Sequence, residues 1–184
     1  MALLFLPAAA AAQPRLVPTQ DVAVVYRIGG SAAQRIPGGA PEGVRVVWDA
    51  AGQRVRAEPV GLGTYAIADL GRRVTDIVFE AQHAYLELPI RGGDPQALLA
   101  GEHVTFARRG TETLLGMACT DWVIHAEKVT GMGCVTADGV VLRAQGLFDG
   151  QSGSMTAIAV DLNPQADSSF RPPKGFFRLA LGKH

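Results

Sequence analysis

The side chains best placed to do chemistry are Asp121, His125 and Glu127, which fall within seven positions of one another. On an extended strand, residues two and four apart share a face. Three such ligands could hold a metal ion, and a polar outer face accounts for the same residues. The other histidines, His83, His103 and His184, form no His-Glu-x-x-His array, and none pairs at the spacing that would put two rings on one metal. No Gly-x-Ser-x-Gly elbow is present, and Ser152-Gly153-Ser154 with Asp149 reads as a turn. Gly61-Leu62-Gly63 and Gly131-Met132-Gly133 lack the strand-to-helix setting of a phosphate loop and read as hairpin glycines. These residues give no basis for a catalytic site, a metal centre or a cofactor, and the expectation is a protein that is not an enzyme.

Cys119 and Cys134 are the two cysteines of the chain. A redox pair would usually be spaced Cys-x-x-Cys, and two thiols do not complete a zinc site. A structural bridge is the reading favoured here. Closing a loop of roughly 15 residues contributes about 3 kcal/mol on the chain-entropy model.

The elements that would position these residues are short and alternating, broken by Gly, Pro and Asp-Gly, which is the pattern of a sheet. Val22, Val24, Tyr26 and Ile28 share one face of a first strand. A long Gly/Ala/Pro-rich loop over 29–43 leads to Val44, Val46 and Trp48, which alternate with Arg45 and Asp49. A turn at Ala50-Ala51-Gly52 returns the chain through Arg54, Arg56 and Glu58, whose charges suit a solvent face. Strands follow over 62–69, 74–79 and 84–88. Helical spacing also fits Val74, Ile77, Val78, Ala81 and Tyr85, but dense β-branched and aromatic residues favour strands. One short helix is expected near 94–100, with Asp94 as cap, Pro95 in the first turn and Gly101 as the stop.

Beyond it, Val104 and Phe106 begin a strand, and Arg109-Gly110-Thr111 reads as a turn into Thr113 and Leu115. The next strand places Cys119, Val123 and His125 on one face, with Trp122 and Ile124 on the other. A turn through Lys128 to Gly131 brings Cys134 back beside it. Asp138-Gly139 is a tight-turn signal ahead of Val140, Leu142 and Ala144. A last long strand carries Thr156, Ile158, Val160 and Leu162 on one side, and Pro164 ends it.

Composition bounds the partners. The 184 residues suit one domain with a real core, and 48% of them are hydrophobic. Lys+Arg and Asp+Glu each total 17, so no basic excess points to nucleic acid or to an anionic membrane surface. Residues 1–12 run from an apolar stretch into alanines, as the core and cleavage zone of a signal peptide do, with Ala10 and Ala12 before a mature start near Gln13. No Lys or Arg precedes Arg15; either translation begins upstream or this is an ordinary apolar segment. The stretch is too short to span a bilayer, so no transmembrane segment is expected. Residues 13–184 are expected to form one β domain.

Gly110, Gly116, Cys119, Trp122, Cys134, Thr136, Asp138-Gly139-Val140, Leu142-Arg143 and the run Phe170-Arg-Pro-Pro-Lys-Gly-Phe-Phe177 together resemble an uncharacterised family of bacterial periplasmic proteins. That family is similar in layout to the outer-membrane lipoprotein carrier superfamily. The resemblance implies a mainly β fold, in which a curved antiparallel sheet forms an unclosed β-barrel whose concave face can hold acyl chains. It also implies the Cys119–Cys134 disulfide and a periplasmic location. Helix content here is lower than a substantial helical lid would need, and no cysteine near the N-terminus could carry a lipid anchor.

Two functions follow as expectations. One is a non-catalytic binder or carrier of a hydrophobic ligand, a lipid or lipoprotein-like molecule, with Val46, Trp48, Phe106, Trp122 and Ile124 lining the concave face. The same side chains are also what an ordinary core would use. The other is a protein-protein interaction module of the cell envelope, docking a partner through an exposed sheet edge or an Arg-rich face.

Overall fold

Alternation in the first strand sets the architecture. Val22, Val24 and Tyr26 are buried on one face of β1 (Val22–Gly29), and Ala23 is buried on the other, so β1 is covered on both sides. The computed structural model describes residues 13–31, 33–35, 41–90, 104–126, 129–148 and 150–180. The expected helix at 94–100 lies outside them.

A meander follows: β2 (Val44–Asp49), β3 (Arg54–Pro59), β4 (Thr64–Asp69), β5 (Val74–Phe79) and β6 (Ala84–Pro89). The segment over 74–79 is a strand, as its β-branched residues require. All four turns share one device, a last residue in the left-handed region: Gln53, Gly63, Arg73 and His83. In two of them an aspartate caps the turn, Asp49 accepting from the Gly52 amide and Asp69 from the Arg72 amide, each at 2.8 Å.

The second meander comprises β7 (Thr105–Leu114), β8 (Met117–Ala126), β9 (Val129–Val135), β10 (Val141–Phe148) and β11 (Gln151–Asp161). β11 pairs with β1 and joins the halves, and β12 (Phe177–Arg178) adds in parallel to β6. The result is one curved, unclosed sheet of twelve strands in the order β12-β6-β5-β4-β3-β2-β1-β11-β10-β9-β8-β7. Apart from the short parallel β12, every pairing is antiparallel, as expected for an unclosed barrel. No helix among the described residues is long and apolar enough to cross a membrane.

Several local expectations fail for one reason: long strands absorb irregularities that look like turns. Arg109-Gly110-Thr111 is a bulge within β7, where the register shifts between Arg108 and Gly110, and the chain does not turn there. Gly131 and Gly133 lie inside β9, paired with Ile124 and Trp122, not in a hairpin. Ser152, Gly153 and Ser154 lie inside β11. Gly131, Gly146 and Gly153 are cross-strand neighbours, and a Cβ on Gly131 would stand 2.5 Å from the Gln145 carbonyl oxygen. Glycine is therefore required there by the close approach of one strand to the next. In β11 a register shift opposite Val25 and Tyr26 breaks the expected alternation: Ala157 is buried, while Ile158 and Leu162 are exposed.

One core cluster joins Val22, Val24, Tyr26 and Trp48 to Cys119, Cys134, Val140, Leu142 and Ala157. A second, on the opposite face of the first meander, holds Ala23, Val47, Tyr65, Ile67 and Val78 under Phe170. This second cluster overturns the solvent-face reading of Arg54 and Arg56. Both guanidiniums are largely buried, Arg54 stacking on Phe170 at 5.1 Å and Arg56 on Tyr65 at 3.6 Å. The C-terminal segment from Gln165 to Arg178 straps this face. Asp21 ties it to the β2–β3 turn, its two carboxylate oxygens accepting from the amides of Ala50 (3.0 Å) and Gln165 (2.9 Å).

Candidate functional site

Cross-strand partners share a face, so the register places the expected ligand-lining residues relative to one another. Trp48 and Val46 pair with Val22 and Val24 of β1. Along that face of β1 lies Ile28, partnered by Met155; Met155 pairs with Ala144, Ala144 with Gly133, and Gly133 with Trp122. Ile124 is two residues beyond Trp122 and pairs with Phe106. All five therefore lie on one face of the sheet, but in two groups. Trp48, 5% exposed, is packed into the core with Val46 against it, and its indole N–H has no acceptor among the described residues. Phe106, Trp122 and Ile124 stand together on β7 and β8, with Phe106 edge-on to Trp122 at 6.5 Å between ring centroids.

The same face of the first meander is apolar without being closed. Val55, Ala57, Ala66, Ile77, Phe79, Leu86 and Leu88 are its inward positions by register, and each is only half-buried. Phe177, paired with Ala84 at the rim, is 57% exposed. The opposite face of β7 to β10 is charged: Arg143 bonds Glu112 (2.5 Å) and Asp121 (3.2 Å) beside the disulfide.

A cavity of about 470 Å³ opens on the Trp122 side of β8. Its floor is Ala118, Thr120 and Trp122, flanked by Thr111 of β7 and Val135 of β9, and Gln13-Pro14-Arg15 crosses above it. That crossing segment is pinned to the β9–β10 turn, where the Thr19 amide donates to the Asp138 carbonyl at 3.0 Å. Gly139, at φ +91°, has no room for a Cβ, which would stand 2.5 Å from the Val17 carbonyl oxygen. Sequence reasoning found Trp122 but missed Arg15, Thr111 and Thr120. Thr120 was legible as the alternate position between Ala118 and Trp122; the docking of Arg15 depends on a contact more than a hundred residues away.

The metal reading does not assemble among the described residues. Asp121 is paired with Arg143, His125 is exposed, and Glu127 and His103 lie outside the described residues. A different trio, Glu112 with Cys119 and Cys134, brings its ligand atoms within 4.8 Å of one another. Those sulfurs are joined at 2.03 Å and Glu112 is held by Arg143, so the trio is a disulfide beside an ion pair.

The fold and this half-open apolar face define an unclosed-barrel protein of the kind that the sequence resemblance implies. No family model and no curated protein matches the sequence. Solved structures do. An uncharacterized conserved protein from Thermus thermophilus superposes with a TM-score of 0.58 over 88% of this chain and 90% of its own, at 12% identity. PNGF-II gives 0.53 over 81% of this chain and 29% of its own, also at 12% identity. MucB in the Pseudomonas aeruginosa MucA/MucB complex gives 0.50 over 82% and 55%, again at 12%. The chain thus spans nearly all of the first protein and a part of the other two, and the likeness is one of fold. The neighbours also include the Mycobacterium tuberculosis lipoprotein LppX (TM-score 0.46) and a putative outer membrane lipoprotein-sorting protein domain from Vibrio parahaemolyticus (0.38).

Proposed function

We propose that this is an exported, non-catalytic binder of an apolar, chain-like ligand, held against the half-open face of the sheet in the periplasm. The observation that carries the proposal is the run of inward apolar positions from Val55 to Leu88 that stay half-buried, with Phe106 and Ile124 half-buried on the same face beside the buried Trp122. A self-sufficient core would bury such residues. Here a ligand covering two or three of them would gain about 1.5–3 kcal/mol for each. Export is supported by the signal-peptide pattern of residues 1–12 and by the Cys119–Cys134 disulfide, which suits an oxidising compartment.

The test is binding of a neutral solvatochromic dye, Nile red, to the purified protein. Saturable binding is expected, weakened about tenfold in Ile124→Asp, one such contact being worth that much. No saturable binding, or an unchanged affinity in Ile124→Asp and in Ile77→Asp alike, would remove the reading.

A second reading rests on β7. Among the described residues it ends the strand order with β8 as its one partner, and a ten-residue strand with a free edge can take an added strand. Substituting Ala107 by Pro should then abolish capture of an envelope protein while leaving Nile red binding intact.

A further inference from the structure

We infer that the cavity beneath the N-terminal segment receives an anionic end of the ligand, with Arg15 as its counter-ion. This rests on the apolar-ligand reading above and specifies the ligand class: an amphiphile with a carboxylate or phosphate head.

Three features of the cavity carry the inference. Among the described residues, Arg15 is the one charged side chain of the lining and no carboxylate joins it. Three acids adjoin lining residues in sequence: Glu112 and Asp121 belong to the opposite face, where Arg143 engages both, and Asp138, in the β9–β10 turn, is not among the lining residues. Among the described residues Arg15 makes no ion pair. A cation over a cavity with no matching acid favours an anion from outside.

The second feature is a pair of donors. Thr111 and Thr120 are direct cross-strand partners that both line the cavity, and among the described residues neither hydroxyl is engaged by another group. Two hydroxyls and a guanidinium can together satisfy the oxygens of one carboxylate or phosphate. The third feature is continuity. Trp122 lies two positions from Thr120 on the same face, and Ile124 and Phe106 lie beyond it. A head group beside Thr120 would therefore direct its chain across the indole and onto the apolar face. Arg15 itself is held over the floor by the contact of Val17 with Gly139, so the cation is part of the fold and not a trailing end.

The experiment is competition against bound Nile red by three probes sharing one acyl chain: oleate, methyl oleate, and oleoyl lysophosphatidate. Oleate or the lysophosphatidate should displace the dye at about tenfold lower concentration than methyl oleate, one charge-assisted contact being worth that much. The stronger of the two identifies carboxylate or phosphate as the head. In Arg15→Ala the preference should vanish, and in Arg15→Glu it should reverse, with methyl oleate unaffected in both. Equal displacement by charged and neutral probes, or a preference that survives Arg15→Glu, overturns this inference and leaves the apolar-ligand reading standing. Failure of Nile red and all three probes to bind would instead sink the apolar-ligand reading, and this one with it.

Discussion

Replacing Arg54 by Met tests the least expected part of the structure, the strap over the first meander. Methionine keeps most of the apolar stem and removes the charge. Asp49, 7% exposed, would lose both guanidinium hydrogen bonds, Nε at 2.8 Å and the shorter one from Nη2, and keep the Gly52 amide. A hydrogen bond to a charged, partly buried group is worth about 1.5–3 kcal/mol, and the lost stacking on Phe170 adds about 0.5–1 kcal/mol. The ion pair to Asp167 lies at the surface and adds little. The expected loss is about 3 kcal/mol at pH 7, or roughly 1.5 M in the urea midpoint for a domain of this size.

The effect should carry a pH signature. Burial pushes the Asp49 carboxyl up, but the Gly52 amide and the Arg54 guanidinium outweigh it and hold it below the ordinary carboxylate value. A group depressed in the folded state stabilises above its unfolded pKa, and that stability is lost as pH falls through the folded value. The difference between wild type and Arg54→Met should therefore be full at pH 7 and shrink below about pH 4. Urea titrations at both pH values read this directly, and trypsin cleavage at the exposed strap residue Lys174 should quicken in the variant. A midpoint shift below about 0.3 M at pH 7, with unchanged cleavage, would refute the latch.

Other variants follow from single contacts. The Cys119→Ser/Cys134→Ser double variant should lose about 3 kcal/mol in urea unfolding, since the bridge closes a separation of 15 residues. Asp76 is buried, with one carboxylate oxygen lacking a partner, and faces Glu87 directly across the β5–β6 ladder. Burial first and Glu87 second push its carboxyl up. A raised folded pKa means stability present at low pH and lost as pH rises through that value. Asp76→Asn should thus be more stable than wild type at pH 7, by up to about 1 kcal/mol, and equal to it in acid, as thermal melts at two pH values would show.

Much of this fold is legible in the sequence because period-two patterning is local. Val22, Val24 and Tyr26 announce β1, and the β-branched run of 74–79 chooses strand over helix. Cys119 and Cys134 fall on neighbouring strands, as the hairpin order requires. What local pattern cannot carry is proximity between distant segments. Arg54 and Arg56 read as a solvent face because alternating charge usually is one; over a hundred residues on, Phe170 covers Arg54 and the neighbouring Ser169 carbonyl accepts from Arg56. Gly131, Gly133 and Gly153 read as turn formers but lie inside strands, and at Gly131 glycine is necessary because the backbone of the next strand approaches closely. The parallel pairing of β12 with β6 has no local signal at all. For the candidate site, alternation puts Trp122 and Ile124 on one face, and the register of β7 against β8 adds Phe106 beside them, while the cavity's roof comes from residues that carry no strand pattern.

The central claim is that the half-open apolar face holds a chain-like ligand, and native mass spectrometry of protein purified gently from a periplasmic fraction tests it most directly. The account predicts a bound mass in the range of a lipid or acylated molecule, lost in Trp122→Asp while circular dichroism still reports the folded sheet. A clean unliganded mass across repeated preparations, or an adduct that persists in Trp122→Asp, would contradict it.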